Sequence, residues 1–164
     1  MITLERLKEV LRYDPQTGVF TWQMNRGQRI KAGDEAGSVH RYATVTYREI
    51  KVDGTSYKAH RLAHFYQTGA WPIELVDHRD RNGLNNRWAN IRSAARGENK
   101  ANCKLQANNR SGYKGVSRQH NRYHANIKKG GERFYLGAFS TPELAHAAYV
   151  EAAKKHHGEF ARAA

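Results

Sequence analysis

The chain has one cysteine, Cys103, in 164 residues. That excludes a disulfide framework and any multi-cysteine zinc site. Acidic residues are few, 15 against 28 lysines and arginines. Long apolar runs are missing, and the short ones are broken by charge, which rules out a membrane-spanning helix. Met1-Ile2-Thr3-Leu4-Glu5-Arg6 offers no apolar signal core, so no secretory signal is visible and an intracellular protein is expected. No basic amphipathic helix stands out to bind a membrane surface.

What is present is positive charge, net +13 with a pI near 10.1. Residues 1–107 hold 18 basic and 11 acidic residues, and residues 108–164 hold 10 and 4. Both parts are therefore cationic, which differs from a neutral domain with a basic tail. Aromatic and amide side chains interleave the basic ones, as contacts to phosphates and bases require. A well-solvated cationic protein is the plainer reading of the same charge.

The pattern predicts an α+β protein. Leu4, Leu7, Val10 and Leu11 share a helical face. Asp14 to Gly18 is turn chemistry, and Val19–Trp22 reads as a strand. Residues 23–42 read as a long loop. Thr44–Val52, a turn at Asp53-Gly54, and Thr55–Tyr57 read as a hairpin. His60–Gln67 reads as a helix stopped by Gly69. Ile73–Asp77 is a strand candidate, 79–90 a polar loop, Ile91 the start of an extended piece, and 94–103 a helix. Polar residues 106–112 read as a linker between domains 1–105 and 113–164. In the latter, 113–117, 123–128 and 133–139 are strand candidates. A helix follows, with Ser140 and Glu143 at capping-box spacing and Gly158 as its stop. Leu136, Phe139, Leu144 and Tyr149 are expected in the core, as is Cys103.

Asp77 and His78 end an apolar strand, where neighbours point to opposite faces. Asn90 follows Asp77 by 13 positions and Asn99 by 22. A strand-loop-strand-helix hairpin would gather these side chains around one phosphate. Asp80 is a rival metal ligand, better suited to a loop contact. His60 and Arg61 could reach a phosphate, or equally could pack beneath the hairpin.

The run His60-Arg61-Leu62, Val76-Asp77-His78-Arg79-Asp80, Asn85-Asn86-Arg87, Asn90-Ile91 and Glu98-Asn99 resembles the HNH endonucleases, in the subgroup of phage and intron-borne homing enzymes. The resemblance covers roughly residues 57–103. Tyr13 to Gly18 and the basic loop after it are similar to the β-rich N-terminal extension of phage members. The resemblance implies a ββα-metal fold. It makes His78 the general base, Asp77 and Asn99 the ligands of a divalent metal, and Asn90 the residue that orients the histidine loop. Many members carry histidine where this chain has Asn99. An all-oxygen donor pair favours Mg²⁺ or Mn²⁺ over Zn²⁺. Arg61, Arg79 and Arg87 are expected to contact DNA.

Tyr113-Lys114-Gly115-Val116, Ala125-Asn126-Ile127, Arg133 to Phe139 and the Ala-rich helix resemble the DNA-binding domain of plant ethylene-response factors (the APETALA type). That implies a three-stranded antiparallel sheet laid in the major groove with one helix behind it. Lys114, Arg118, Arg122, Lys128, Arg133 and Tyr135 would then face DNA. Ser117 stands where plant members usually have arginine and Tyr123 where tryptophan is common, so the plant target sequence does not transfer.

Together these readings predict a metal-dependent endonuclease on double-stranded DNA, a phage homing-type nicking enzyme, acting as a monomer or weak dimer. The alternatives are a DNA-binding regulator with an inactive hairpin, and an RNA-binding protein.

Overall fold

A computed structural model describes the chain apart from Thr44, Lys104, 106–108 and 162–164, and apart from the side chains of Arg96, Lys100, Ala101 and Glu159. Part of the expected linker therefore lies outside the described residues. The described residues are mixed α and β, with four α-helices and several small antiparallel sheets. It divides into two compact units, 1–93 and 94–164.

In the first unit α1 (Leu4–Val10) starts at Thr3, whose hydroxyl accepts from the Arg6 amide at 3.2 Å. Leu11 shares the spacing of the helix face but already belongs to β1 (Leu11–Tyr13). This strand pairs antiparallel with β2 (Phe20–Trp22). β1 is hidden in the sequence because Leu7 and Leu11 also fit one helical stripe. β3 (Ser38–Arg41) lies in the stretch expected to be loop. All four of its residues are exposed, so it shows no apolar alternation to read. It pairs with β4 (Thr46–Val52), which pairs with β5 (Thr55–Lys58) across the expected turn. α2 (Ala59–Thr68) ends at Gly69, in the left-handed conformation at φ 74°. β6 (Leu75–His78) starts two residues later than expected, and Ile73 is fully exposed. β6 pairs with β7 (Ile91–Ala94). Leu7, Leu11, Phe20, Ile50, Leu62, Phe65 and Ile91 form the core that carries these elements.

In the second unit come α3 (Arg96–Asn102) and β8 (Val116–Gln119), β9 (Arg122–Lys129) and β10 (Glu132–Phe139). The three strands make an antiparallel sheet with β9 central. α4 (Pro142–His157) packs on one face through Ala145, Tyr149 and Ala153, against Val116, Ala125 and Ile127. Gly115, at φ +75°, brings the backbone so near the Tyr149 ring that a Cβ there would overlap it. A register shift between Tyr135 and Gly137 leaves Leu136 to join this core.

Three expectations are corrected. The helix cap is Thr141, which accepts from the Leu144 amide at 3.3 Å, while Glu143 accepts from the Tyr113 hydroxyl at 3.1 Å. Leu144 is 53% exposed, because the Ala-rich stripe meets the sheet without it. Cys103 is exposed, with its thiol bonded to the Asn99 carbonyl one turn back.

Candidate active site

β6 delivers Asp77 and His78 side by side, both buried. Each engages a different partner. Arg92, on β7, donates from Nε at 3.2 Å and Nη2 at 3.0 Å to Asp77 Oδ2. This buried ion pair neutralises a carboxylate that the apolar surroundings would otherwise disfavour.

His78 Nε2 lies 3.1 Å from Asn86 Oδ1, and Asn86 is 2% exposed. The ring meets His60 edge-on at 4.9 Å and Tyr47 in a stack at 6.1 Å. Burial pushes the His78 pKa below the ordinary histidine value, against the opposing pull of the Asn86 bond and of Asp80 and Asp77. His60 is pushed further, to about 3, first by burial and then by His78, Lys58 and Arg61. Two neutral imidazoles in contact are the result. His60 packs under the hairpin, and its buried Nδ1 has no hydrogen-bond partner among the described residues.

The loop between β6 and β7 is organised by its own amides. Asp80 accepts from the Asn82 backbone at 2.8 Å, from Asn85 Nδ2 at 2.7 Å and from Asn90 Nδ2 at 2.9 Å. Partial burial raises the Asp80 pKa, but these donors outweigh it and hold the group below the usual aspartate value. Asn90 also donates to the Asn85 carbonyl at 2.7 Å and accepts from the Asp80 amide at 3.1 Å. Its carbonyl accepts from the Arg79 amide at 2.8 Å. Asp80 therefore makes loop contacts, and Asn90 ties both ends of the loop.

The same loop rests on the N-terminal turn. Tyr13 donates its hydroxyl proton to the Asn86 carbonyl at 2.6 Å, and the Trp88 amide donates to the Pro15 carbonyl at 3.0 Å. Gly18, at φ +78°, lies so close to the Asn86 and Arg87 backbone that a Cβ would overlap it.

Among the expected DNA-contacting residues of this unit, Arg79 and Arg87 are exposed on the loop. Arg61 is half-buried and donates to the Pro72 carbonyl at 3.3 Å. Asn99 is half-buried on α3 in the second unit.

In that unit, register decides which side chains share a face. Arg133 opposes Lys128, and Tyr135 opposes Asn126, on the side away from α4. Arg122, His124, Ser117 and Gln119 share that side. Tyr135 is 60% exposed and its hydroxyl lies 3.2 Å from His124 Nδ1. Arg118 opposes Tyr123 and falls on the helix side, where it bonds Asn121 at 3.1 Å and lies over the Tyr123 ring. Lys114 precedes β8 and donates to the Cys103 carbonyl at 2.8 Å.

Nothing in the sequence marks Arg92 or Tyr47, and Asn86, though part of the motif run, carries no role of its own there. Asn86 sits in an Asn-Asn-Arg triplet whose composition signals a loop, and composition does not reveal which amide points inward.

Residues 57–101, from β5 through most of α3, match the model of a family described as HNH endonuclease. No curated protein matches the chain. The match points to a nuclease acting on DNA, a phosphodiester hydrolase.

Proposed function

We propose that the chain is a divalent-metal-dependent endonuclease that cuts double-stranded DNA at His78. The observation that carries this reading is the buried, neutral His78 ring held by Asn86, inside the segment that matches the HNH family. A neutral imidazole can take a proton, and one at the end of a short strand can be held against a phosphate. His78 takes the proton of the attacking water, the water oxygen bonds to phosphorus, and the ester bond on the far side breaks. The departing oxygen takes its proton from solvent. Asn90 keeps the loop around His78 in shape.

The family implies a metal ion. Among the described residues no group of three or more His, Cys, Asp or Glu side chains is placed to hold one. The donor chemistry of Asp77 and Asn99 nonetheless suits a hard ion, since both offer oxygen, and water can complete such a shell. Asp77 would have to offer an ion a carboxylate that Arg92 already engages. The pairing of Asp77 with Asn99 rests on their spacing in the sequence. Positive charge at the nonbridging and leaving oxygens is the chemistry a bound Mg²⁺ or Mn²⁺ supplies.

We assign site recognition to the open face of the β8-β9-β10 sheet, with Arg122, Lys128, Arg133 and Tyr135. A basic sheet with an exposed aromatic, Tyr135 on the edge strand β10, backed by one helix, supports an ethylene-response-factor-like reading. Together with the motif spacing, this supports a phage homing-type enzyme that nicks one strand per site.

A second reading, a DNA-binding regulator with an inactive hairpin, draws on the Asp77–Arg92 pair and the burial of His78. One experiment separates them. Purified protein is incubated with duplex DNA and Mg²⁺ or Mn²⁺, beside its His78→Ala variant. Cleavage by the parent, reduced roughly 10²- to 10⁴-fold in the variant with binding retained, supports the nuclease. Binding without cleavage by the parent establishes the regulator, and equal cleavage by both removes His78 as the base.

A further inference from the structure

Asn86 has a role that its loop composition hides. Its amide orientation is set within the loop, because Nδ2 donates to the Leu84 carbonyl at 3.3 Å. That turns Oδ1 toward His78 Nε2 at 3.1 Å. An amide oxygen only accepts, so Nε2 must carry the proton. In a neutral imidazole the lone pair then sits on Nδ1. The Asn86 backbone carbonyl in turn accepts from the buried Tyr13 hydroxyl at 2.6 Å. Gly18 closes on the Asn86–Arg87 backbone, and Pro15 accepts from the Trp88 amide at 3.0 Å. Tyr13 is itself buried, its ring tilted by 30° against Phe20 with centroids 4.7 Å apart, so the support is rooted in the core.

We infer that Asn86 is a positioning residue which selects the Nε2–H tautomer of His78, and that the Tyr13–Gly18 turn is the strut that holds Asn86 in place. The consequence is that Nδ1 is the nitrogen that takes the water proton. This inference rests on the reading of His78 as general base only for its catalytic consequence. The tautomer and the strut stand on the geometry alone.

The test uses the full chain without metal, with ¹⁵N-labelled histidine, at mildly alkaline pH. Long-range ¹H–¹⁵N correlation identifies the protonated nitrogen of His78, assigned by its loss in His78→Ala. The expected spectrum shows Nε2 protonated and Nδ1 bare. The reverse tautomer overturns the inference. In Asn86→Ala the two tautomers should mix, and kcat should fall on the order of tenfold or more while KM for duplex DNA stays within about twofold. An unchanged tautomer in Asn86→Ala overturns the role of Asn86. Tyr13→Phe deletes one hydroxyl and leaves the ring packing intact. It should broaden the His78 signals and lower kcat several-fold, and a spectrum identical to the parent removes the strut. The Tyr13→Phe spectrum and the parent spectrum decide the matter even where Asn86→Ala does not fold. Should the parent show the expected tautomer yet cut no DNA, the nuclease reading fails and the positioning inference stands.

Discussion

Arg92 grips Asp77 through two nitrogens on a single carboxylate oxygen, at 3.2 and 3.0 Å, with both side chains more than nine-tenths buried. Neither charge has bulk water to fall back on. Arg92→Leu therefore strands a buried carboxylate, and the expected loss of stability is about 3–5 kcal/mol. Urea denaturation of the metal-free protein measures it. A loss under about 1 kcal/mol would mean that the pair is solvated in solution.

Acid should weaken the fold well before carboxylates titrate. The His60 pKa is about 3 when folded against an ordinary 6.5. As pH falls below that ordinary value the unfolded chain takes up a proton and the folded one does not. Stability thus declines with falling pH, by about 1.4 kcal/mol per unit for one proton. The contribution is constant above the unfolded value and stops changing below the folded one. His78, depressed in the same direction, adds to the slope. His60→Phe should flatten the slope by one proton between about pH 6.5 and 5. Urea midpoints over a pH series decide it, and an unaltered slope refutes the buried neutral state.

Gly18 adopts a conformation that favours glycine and also touches the backbone it supports. Gly18→Ala is expected to cost about 1–3 kcal/mol, from backbone strain and from overlap with residues 86 and 87. Thermal unfolding reads the loss. A variant as stable as the parent would show that this turn stands off from the loop.

Sheet register separates two arginines that the sequence treats alike. Arg133 lies on the open face and Arg118 on the helix side. Arg133→Ala should weaken duplex DNA binding and lower the slope of log affinity against log salt by roughly 0.9 if it holds one phosphate. Arg118→Ala should change that slope little. Fluorescence anisotropy over a salt series distinguishes them, and equal effects would move the DNA contact off the open face.

The sequence displays what is periodic or punctuated. The β4–β5 hairpin, α2 with its Gly69 stop, and the three strands and long helix of the second unit carry alternation, caps and turns of their own. β3 carries none, since it is exposed on both sides, and β1 is masked by a helical stripe running through Leu11. At the candidate site, Asp77, His78 and Asn90 stand out through their spacing. Arg92 and Asn86 do not, because their roles depend on which way a side chain turns inside a packed hairpin. Tyr13 is separated from its partner Asn86 by 73 positions, and no local pattern announces such a bond.

The bond from Tyr13 to Asn86 means that the stretch matching the HNH family is not a portable cassette. Cut out at residues 57–101, it would leave behind the turn on which its histidine loop is seated. Anyone grafting this hairpin onto another DNA-binding scaffold would have to carry the first two dozen residues with it.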